Sequence, residues 1–449
     1  MPSSVSANQP FDLDGLKNTA EEIVTLAKAE GASAVETSLS IGRGLSVNAR
    51  QGEVETIEHH RDQGVGITVY MGKKKGFAST TDLKQQSIKE TVKAACAIAH
   101  YATEDEFSGL PDKDLLATSF PDLSVYHPWT ISADQAVKQA IECEAEALSY
   151  DAEITNSEGA SVSTFEGIRV LANSDGFVHG YPATRHSLSC SVIGEREGNM
   201  QRDYWYAVSR NPQNLENAAS VGAKAAERTI ARLGSQGLST RKCPVMFSAE
   251  ISSGFIGHFI SAIRGGNLYR KSTFLMDSLD TKVFPNFVRM HEQPHLLEAL
   301  GSSTYDAEGV VTKPRDLVTD GIVQGYVLSS YSARKLGMQT TANAGGVHNL
   351  TVESGELGFN DMLKNMDTGL LVTELMGQGV NTLTGDYSRG AAGFWVEKGI
   401  IQYPVEEITI AGNLKDMFQG IVAIGNDVDL RGNTRTGSIL INEMTIAGQ

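Results

Sequence analysis

Cysteine is scarce in this chain of 449 residues, and so are long apolar runs and an excess of positive charge. Its four cysteines, Cys96, Cys143, Cys190 and Cys243, lie far apart with no C-x-x-C pair. That spacing builds neither a zinc knuckle nor a dense disulfide framework, and it predicts reduced, mostly buried thiols. No apolar run approaches the roughly 20 residues that span a bilayer, so no membrane association is expected. The opening stretch, MPSSVSANQPFDLDGL, has neither the basic nor the apolar region of a signal peptide, which points to a cytoplasmic protein. Basic residues number 38 against 54 acidic ones, a formal net charge of −16. Such an excess repels phosphate backbones and disfavours nucleic acid as a partner. The one compact basic run, Lys73-Lys74-Lys75 between Gly72 and Gly76, reads as a solvated hairpin turn.

What is present describes a folded protein. Hydrophobic residues make up 41% of the chain and charged residues 20%. The length predicts two domains, and the polar stretch GSQGLSTRKCP puts their boundary between residues 1–234 and 235–449. Helical spacing marks residues 12–30, 84–101, 133–149 and 215–233, with Gly31 and Gly234 at two of the C-terminal ends. Residues 35–81 alternate instead and predict a small antiparallel meander. Residues 153–210 read as strands turning at NSEG, NSDG and EREGN, and a polar connector runs through 111–128. From Pro244 onward the chain reads mostly as glycine-punctuated strands, with an echo of turn plus strand in DGIVQGYV (320–327) and KGIIQYPV (398–405). Both halves mix helices with antiparallel strands, so the fold class is α+β.

Residues 291–295, His-Glu-Gln-Pro-His, have the H-E-x-x-H form of many zinc peptidases. That motif works because a helix brings positions i and i+4 onto one face. Pro294 stands between the two histidines, and proline is tolerated only in the first turn of a helix. The sequence therefore predicts a helix starting at Pro294, with Leu296, Leu297 and Leu300 on its apolar face and His291 outside it. No zinc site is expected there. NDVDLRGN (426–433) resembles a calcium loop, but Arg431 and Ser438 occupy ligand positions, so it reads as a turn. GQG (377–379) lacks what a phosphate loop requires. Glycines 385, 390 and 393 suit tight turns and close strand packing. The isolated histidines, His127, His179, His186 and His348, read as hydrogen-bonded structural groups.

Four stretches are distinctive: TGDYSRGAAGFWVEKGIIQYPVEEITIAGNLKDM (384–417), YRKSTFLMDSL (269–279), SSYSARKLGMQTTANAGGVHN (329–349) and LVTELMGQGV (371–380). Together they resemble the TldD/PmbA family, in its PmbA branch, also called TldE. The likeness extends through GITVYMGKKKGFASTTDL (66–83) and GYPATRHSLSCSVI (180–193), and so over nearly the whole chain. The resemblance implies an N-terminal α/β domain followed by a domain of twisted antiparallel sheets. In the TldD branch, an early helix of the second domain carries H-E-x-x-x-H. Its histidines bind zinc, its glutamate is the general base, and a late cysteine is a further ligand. A TldD-like subunit pairs with a PmbA-like one to make a peptidase acting on unfolded or precursor peptides. The implied chemistry is metal-activated attack of water on a peptide carbonyl.

Position by position, the metal helix falls on GHFISA, residues 257–262. Gly257 stands at the first histidine, His258 at the glutamate, Ala262 at the second histidine, and Thr436 is the best match to the cysteine. Gly257 and Ala262 have no ligand atom and Thr436 is a poor substitute for a thiolate, so no metal is expected in this chain. Ser248 is expected to cap this helix, Glu250 to lie in its first turn and Gly265-Gly266 to end it. Ile251, Phe255, Ile256, Phe259, Ile260 and Ile263 form the expected apolar face, with Ser253, Gly254, Gly257 and Ser261 opposite. That small-residue face suits either a partner subunit or tight packing inside the domain.

The resulting expectation is a metal-free subunit of a zinc peptidase, with zinc in a TldD-like partner and a homodimer open to the isolated chain. Peptide is expected to add to a sheet edge within 377–393, with Gly377, Gly379, Asp386 and Arg389 as substrate-binding candidates. Two rivals remain open. One is an independent hydrolase using Asp386, His348 or Arg389; the other is a non-catalytic regulator that binds a folded protein.

Overall fold

The computed structural model describes residues 11–448, and the first ten residues, with most of the polar tail, lie outside that range. Strands β1 (Ala34–Arg50), β2 (Glu53–Met71) and β3 (Lys74–Thr80) form the expected meander. Strands β4 (Ile154–Asn173), β5 (Val178–Arg196) and β6 (Asn199–Ser209) form a second one. The two meanders join edge to edge through β1 and β4 into one six-stranded sheet of order β3-β2-β1-β4-β5-β6. Along β1, Val35, Leu39, Leu45, Val47 and Ala49 are buried at alternate positions, the period of a strand with one face covered.

Helices α1 (Leu13–Ala29), α2 (Gln85–Tyr101), α3 (Ala133–Ser149) and α4 (Ala218–Ala231) cover that face. Each matches an expected segment. In α1, Leu16, Ala20, Ile23 and Ala27 lie three or four residues apart and are all buried. The Asp12 side chain caps α1 by accepting from the Gly15 N–H, and Ser132 with Gln135 makes a reciprocal capping box on α3. Gly31 and Gly234 follow their helices with positive φ. One expected turn is different: NSEG lies inside β4 as a bulge, where Gly159 has φ +104° and the Ser157 hydroxyl accepts from the Gly159 N–H.

Past α4 the chain enters β7 (Arg241–Phe247) and then helix α5 (Ala249–Ala262). A five-stranded sheet combines β8 (Met290–Glu292), β9 (Arg315–Thr319), β10 (Ile322–Val323), β11 (Leu350–Val352) and a late strand, β16. The third sheet contains β7, β12 (Gly369–Met376), β13 (Asp386–Glu397), β14 (Ile400–Asn413), β15 (Ile421–Ile424) and β17 (Ile439–Ala447); β16 is Thr434–Arg435. Its order is β14-β13-β12-β7-β17-β15, and β14 also pairs with β17, which closes five of the strands into a barrel. Pairing is antiparallel except for β7 with β12 and β11 with β16. Phe255, Ile256 and Phe259 of α5 pack into the same core as Phe247, Val372, Tyr387 and Trp395.

Both copies of the turn-plus-strand echo are tight hairpin turns. Asp320-Gly321 connects β9 to β10 and Lys398-Gly399 connects β13 to β14, with positive φ at all four residues. The helix expected from Pro294 does not form: residues 293–301 alternate turns with irregular backbone, Glu298 has φ +59°, and Leu297 is 68% exposed. The four thiols are free, three of them buried and Cys243 partly so. Among the described residues, no helix is long and apolar enough to cross a membrane.

Candidate functional site

Helix α5 carries the positions at which the family resemblance places metal ligands. Ser248 occupies the N-cap position with extended backbone, but its hydroxyl makes no capping bond and is buried without a partner. Glu250 lies in the first turn, and the helix ends at Ala262, before Gly265 opens the next short helix. Phe255, Ile256, Phe259 and Ile263 are buried as expected, with Ile251 and Ile260 half-buried at the rim. On the opposite side, Gly254 and Gly257 are exposed, and a Cβ added to either would meet no atom within 4 Å. These two glycines therefore do not serve packing inside this chain, whereas Ser261 accepts from the Asn267 side chain.

Gly257 points at open space, while Ala262 is fully buried. Thr436 is also fully buried and donates its hydroxyl to the Gly437 carbonyl. His258 is half-buried with its ring edge-on to Tyr387, at 5.8 Å between centroids. Burial, with the Arg389 guanidinium nearby, pushes the His258 pKa down and favours a neutral ring. No three His, Cys, Asp or Glu side chains among the described residues are grouped so as to hold a metal ion. The donor set at α5 does not fit zinc, which takes four N, S or O ligands in structural sites and three in catalytic ones.

A cavity of about 370 Å³ opens beside the first half of α5, bounded by β6, α4, β12 and β13. Ser253 and Gly254 form its α5 wall, and Trp205 and Tyr206 the β6 wall. Four arginines line it, and three of them are paired. Arg232 reaches Glu374 at 2.6 Å, Arg228 lies 3.4 Å from Asp203, and Arg431 holds Asp429 at 2.9 Å. Arg431 also stacks 3.9 Å from the centroid of Trp205. The fourth, Arg389, has no carboxylate partner among the described residues, and its buried Nε makes no hydrogen bond. Trp205, Arg228, Arg232 and Arg431 were not foreseen; they come from distant segments that carry no shared motif.

The substrate candidates separate. Successive residues of a strand face opposite ways, so on β13 Asp386 is exposed with Ser388, while Tyr387 and Arg389 face α5. Asp386 accepts from the Thr384 hydroxyl and, with Gly379, lines a different, open depression. Gly377 adopts φ +75° in the loop between β12 and β13, and a Cβ on Gly379 would lie 1.9 Å from the Ser388 carbonyl. Gly393 is equally constrained against Leu371, and Gly385 has φ +85°. His348 lies in a third cavity of about 630 Å³, between the polar side of the N-terminal sheet and residues 301–307 and 344–348. Asp386, His348 and Arg389 therefore share no site.

The expected sheet edge within 377–393 is not available. β13 pairs with β14 on one side, and on the other with β12 from Gly390 onward and with the loop 379–381 at Asp386–Ser388, which leaves it no free edge. The free edge is slightly earlier. β7 pairs with β12 only through Val372, and Thr373, Glu374 and Leu375 beyond it line the cavity beside α5.

HEQPH is no metal site either. His291 and Glu292 lie on β8, with His291 bonded to Asp316 and half-exposed, while His295 bonds Thr312. The calcium-like loop is a turn in which Asp427 accepts from both the backbone and hydroxyl of Ser438. His127, His186 and His348 are hydrogen-bonded as expected. His179 differs: it stacks on Phe120 at 3.5 Å, its Nδ1 has no partner, and burial pushes its pKa down to about 4.

Comparison with known proteins identifies the family. Three models of the PmbA/TldA metallopeptidase family match in order: domain 1 at residues 35–99, the central domain at 126–233 and the C-terminal domain at 240–448. The chain is 51% identical to metalloprotease PmbA of Escherichia coli, over 100% of this chain and 98% of that one. It is 48% identical to a PmbA homologue of Haemophilus influenzae, over 96% of each chain. A TldD homologue of the same organism is 21% identical over 83% of this chain and 81% of its own. A crystal structure from Bacteroides thetaiotaomicron, described as a candidate modulator of DNA gyrase, superposes with a TM-score of 0.92 at 27% identity, covering 97% of this chain and 99% of that one. TldE from Thermococcus kodakarensis shares the fold, with a TM-score of 0.84 at 19% identity over 96% of this chain and 100% of that one. The chain belongs to the PmbA branch of the TldD/PmbA metallopeptidase family.

Proposed function

We propose that this chain is the metal-free subunit of a cytoplasmic two-subunit peptidase acting on unfolded or precursor peptides. A TldD-like partner supplies zinc and the general base, and the metal-activated water attacks the peptide carbonyl there. This chain divides functionally at residues 1–234 and 235–449, and its second part shapes the peptide path beside α5.

One observation carries the reading. The helix in the metal-binding position has lost its ligands, yet the face that carried the first of them is open and lined with small residues. A helix that had merely decayed would be expected to bury or fill that face. Kept open by Gly254 and Gly257, it can receive another protein surface at close range. The edge of β12 at Thr373–Leu375 offers unpaired backbone to an extended peptide in the adjoining cavity.

The test is association. The purified chain is mixed with its TldD-like homologue and followed by sedimentation velocity. The expected result is a species at the summed mass, replacing any homodimer. Separate sedimentation at micromolar concentrations of both would refute the pairing and leave the regulator reading in its place.

A further inference from the structure

The four arginines of the cavity beside α5 are matched in number by Asp203, Glu250, Glu374 and Asp429, but the pairing is uneven, because Asp203 and Glu250 both lie against Arg228 and Asp203 also lies against Arg232. Arg228, Arg232 and Arg431 each have a carboxylate within the chain, and Arg389 has none. Arg389 is half-buried, and its buried Nε–H has lost water without gaining an acceptor, which is costly for a charged donor. Arg389 is nevertheless fixed on β13 in the closed barrel, where its backbone pairs across to Ile410. The Tyr387 ring beside it is 2% exposed, and the Arg389 side chain faces the Tyr387 hydroxyl, which has no other partner. His258 on α5 is the third polar group here, and its neutral ring supplies no counter-charge. Opposite, Gly254 leaves the space in front of the helix clear.

We propose that Arg389 is the anchor for a carboxylate carried by an extended peptide lying in this cavity along the free edge of β12. The inference rests on the reading of the chain as a peptide-binding subunit, and it names the chemical class of ligand. A planar fork of N–H donors matches the two oxygens of a carboxylate, which satisfies the cation in both charge and geometry. Backbone groups of Thr373–Leu375 lie along the same wall and suit a main chain rather than a compact metabolite. Glu374 and Glu250 share the cavity but lie against Arg232 and Arg228, so Arg389 is the lining arginine left without a carboxylate among the described residues, although the Arg228 Nε is also buried without a hydrogen bond. The carboxylate can be the C-terminus of the peptide or the side chain of an Asp or Glu.

Binding of three fluorescein-labelled peptides of one uncharged sequence separates these sources. One ends in a free carboxylate, one is amidated, and one is amidated but carries a single internal Glu. Anisotropy is measured with the full chain, alone and mixed with the TldD-like homologue. At least one acidic peptide is expected to bind about tenfold or more tightly than the neutral one, the span of a hydrogen bond to a charged group. Preference for the free terminus identifies a C-terminal pocket, and preference for Glu identifies a side-chain pocket. Arg389→Gln should erase the difference, Arg389→Lys should restore part of it, and Arg202→Gln on the exposed face of β6 should leave it intact. Equal affinity for all three peptides with the unaltered protein overturns the inference, whatever the variants do. A carboxylate preference in a chain that never pairs with the homologue would instead overturn the subunit reading alone.

Discussion

Glu292, the glutamate of the apparent zinc motif, is 2% exposed and paired with Arg315 at 2.7 Å. Its other oxygen accepts from the Asn343 side chain and the His348 N–H, both at 2.7 Å, and Arg315 in turn donates to Asn343. A carboxylate so fully used cannot act as a general base, but it fastens β8 and β9 to the loop 343–348. Removing one member of a buried pair strands the other charge, at a cost of about 3–5 kcal/mol. Glu292→Ala is therefore expected to lose that much stability in urea denaturation, while His291→Ala, at a half-exposed position, loses less than about 1 kcal/mol. Equal effects would mean that the pair is not structural.

The glycine face of α5 predicts an unusual split between stability and assembly. Glycine inside a helix is about 1 kcal/mol less favourable than alanine, and nothing stands in the way of a side chain at Gly254 or Gly257. Gly257→Leu should raise the melting temperature of the isolated chain or leave it unchanged, yet weaken sedimentation as a complex with the TldD-like homologue. Loss of stability would show that the face is already occupied within the chain.

A pH dependence follows from the interior between the N-terminal sheet and the segment 304–312. Burial, then the neighbouring Glu308 and Asp306 carboxylates, push the Glu36 pKa up to about 7, against the opposing pull of Lys75 and Arg169. Asp306 is likewise raised to about 7 by burial and Glu308, although three backbone N–H groups donate to it. A carboxyl with a raised pKa in the folded state favours folding when protonated. Its contribution is greatest below about pH 4, falls as pH rises toward 7, and is constant above that. Glu36→Gln is expected to stabilise the chain at pH 8 by on the order of 1–3 kcal/mol and to have little effect near pH 4. A gain of equal size at both pH values would contradict the assignment.

The parts of the fold legible in the sequence are those set by local period. Leu16, Ala20, Ile23 and Ala27 announce α1, and Asp320-Gly321 and Lys398-Gly399 announce their hairpins, because helix faces and positive-φ turns have short-range signatures. The union of two meanders through β1 and β4 is not legible, since Glu36 and its partner Asn173 share no pattern across that separation. Nor is the closure of β14 on β17, which is why an edge was expected at 377–393 where none exists. The Leu296, Leu297 and Leu300 spacing suggested a helix, but the chain reverses at Glu298 and exposes Leu297. At the site, Gly257, His258 and Ala262 could be placed by counting along related motifs. Trp205 and Arg431, more than two hundred residues apart, meet only in the folded chain.

Dependence on a second subunit is decided by cleavage of an unstructured peptide with this chain alone and again after mixing with its TldD-like homologue. The expected result is no cleavage by the pure chain, cleavage by the mixture, and its loss on adding a zinc chelator. Cleavage by the pure chain would rule out a metal-free, partner-dependent subunit and require catalytic groups away from α5.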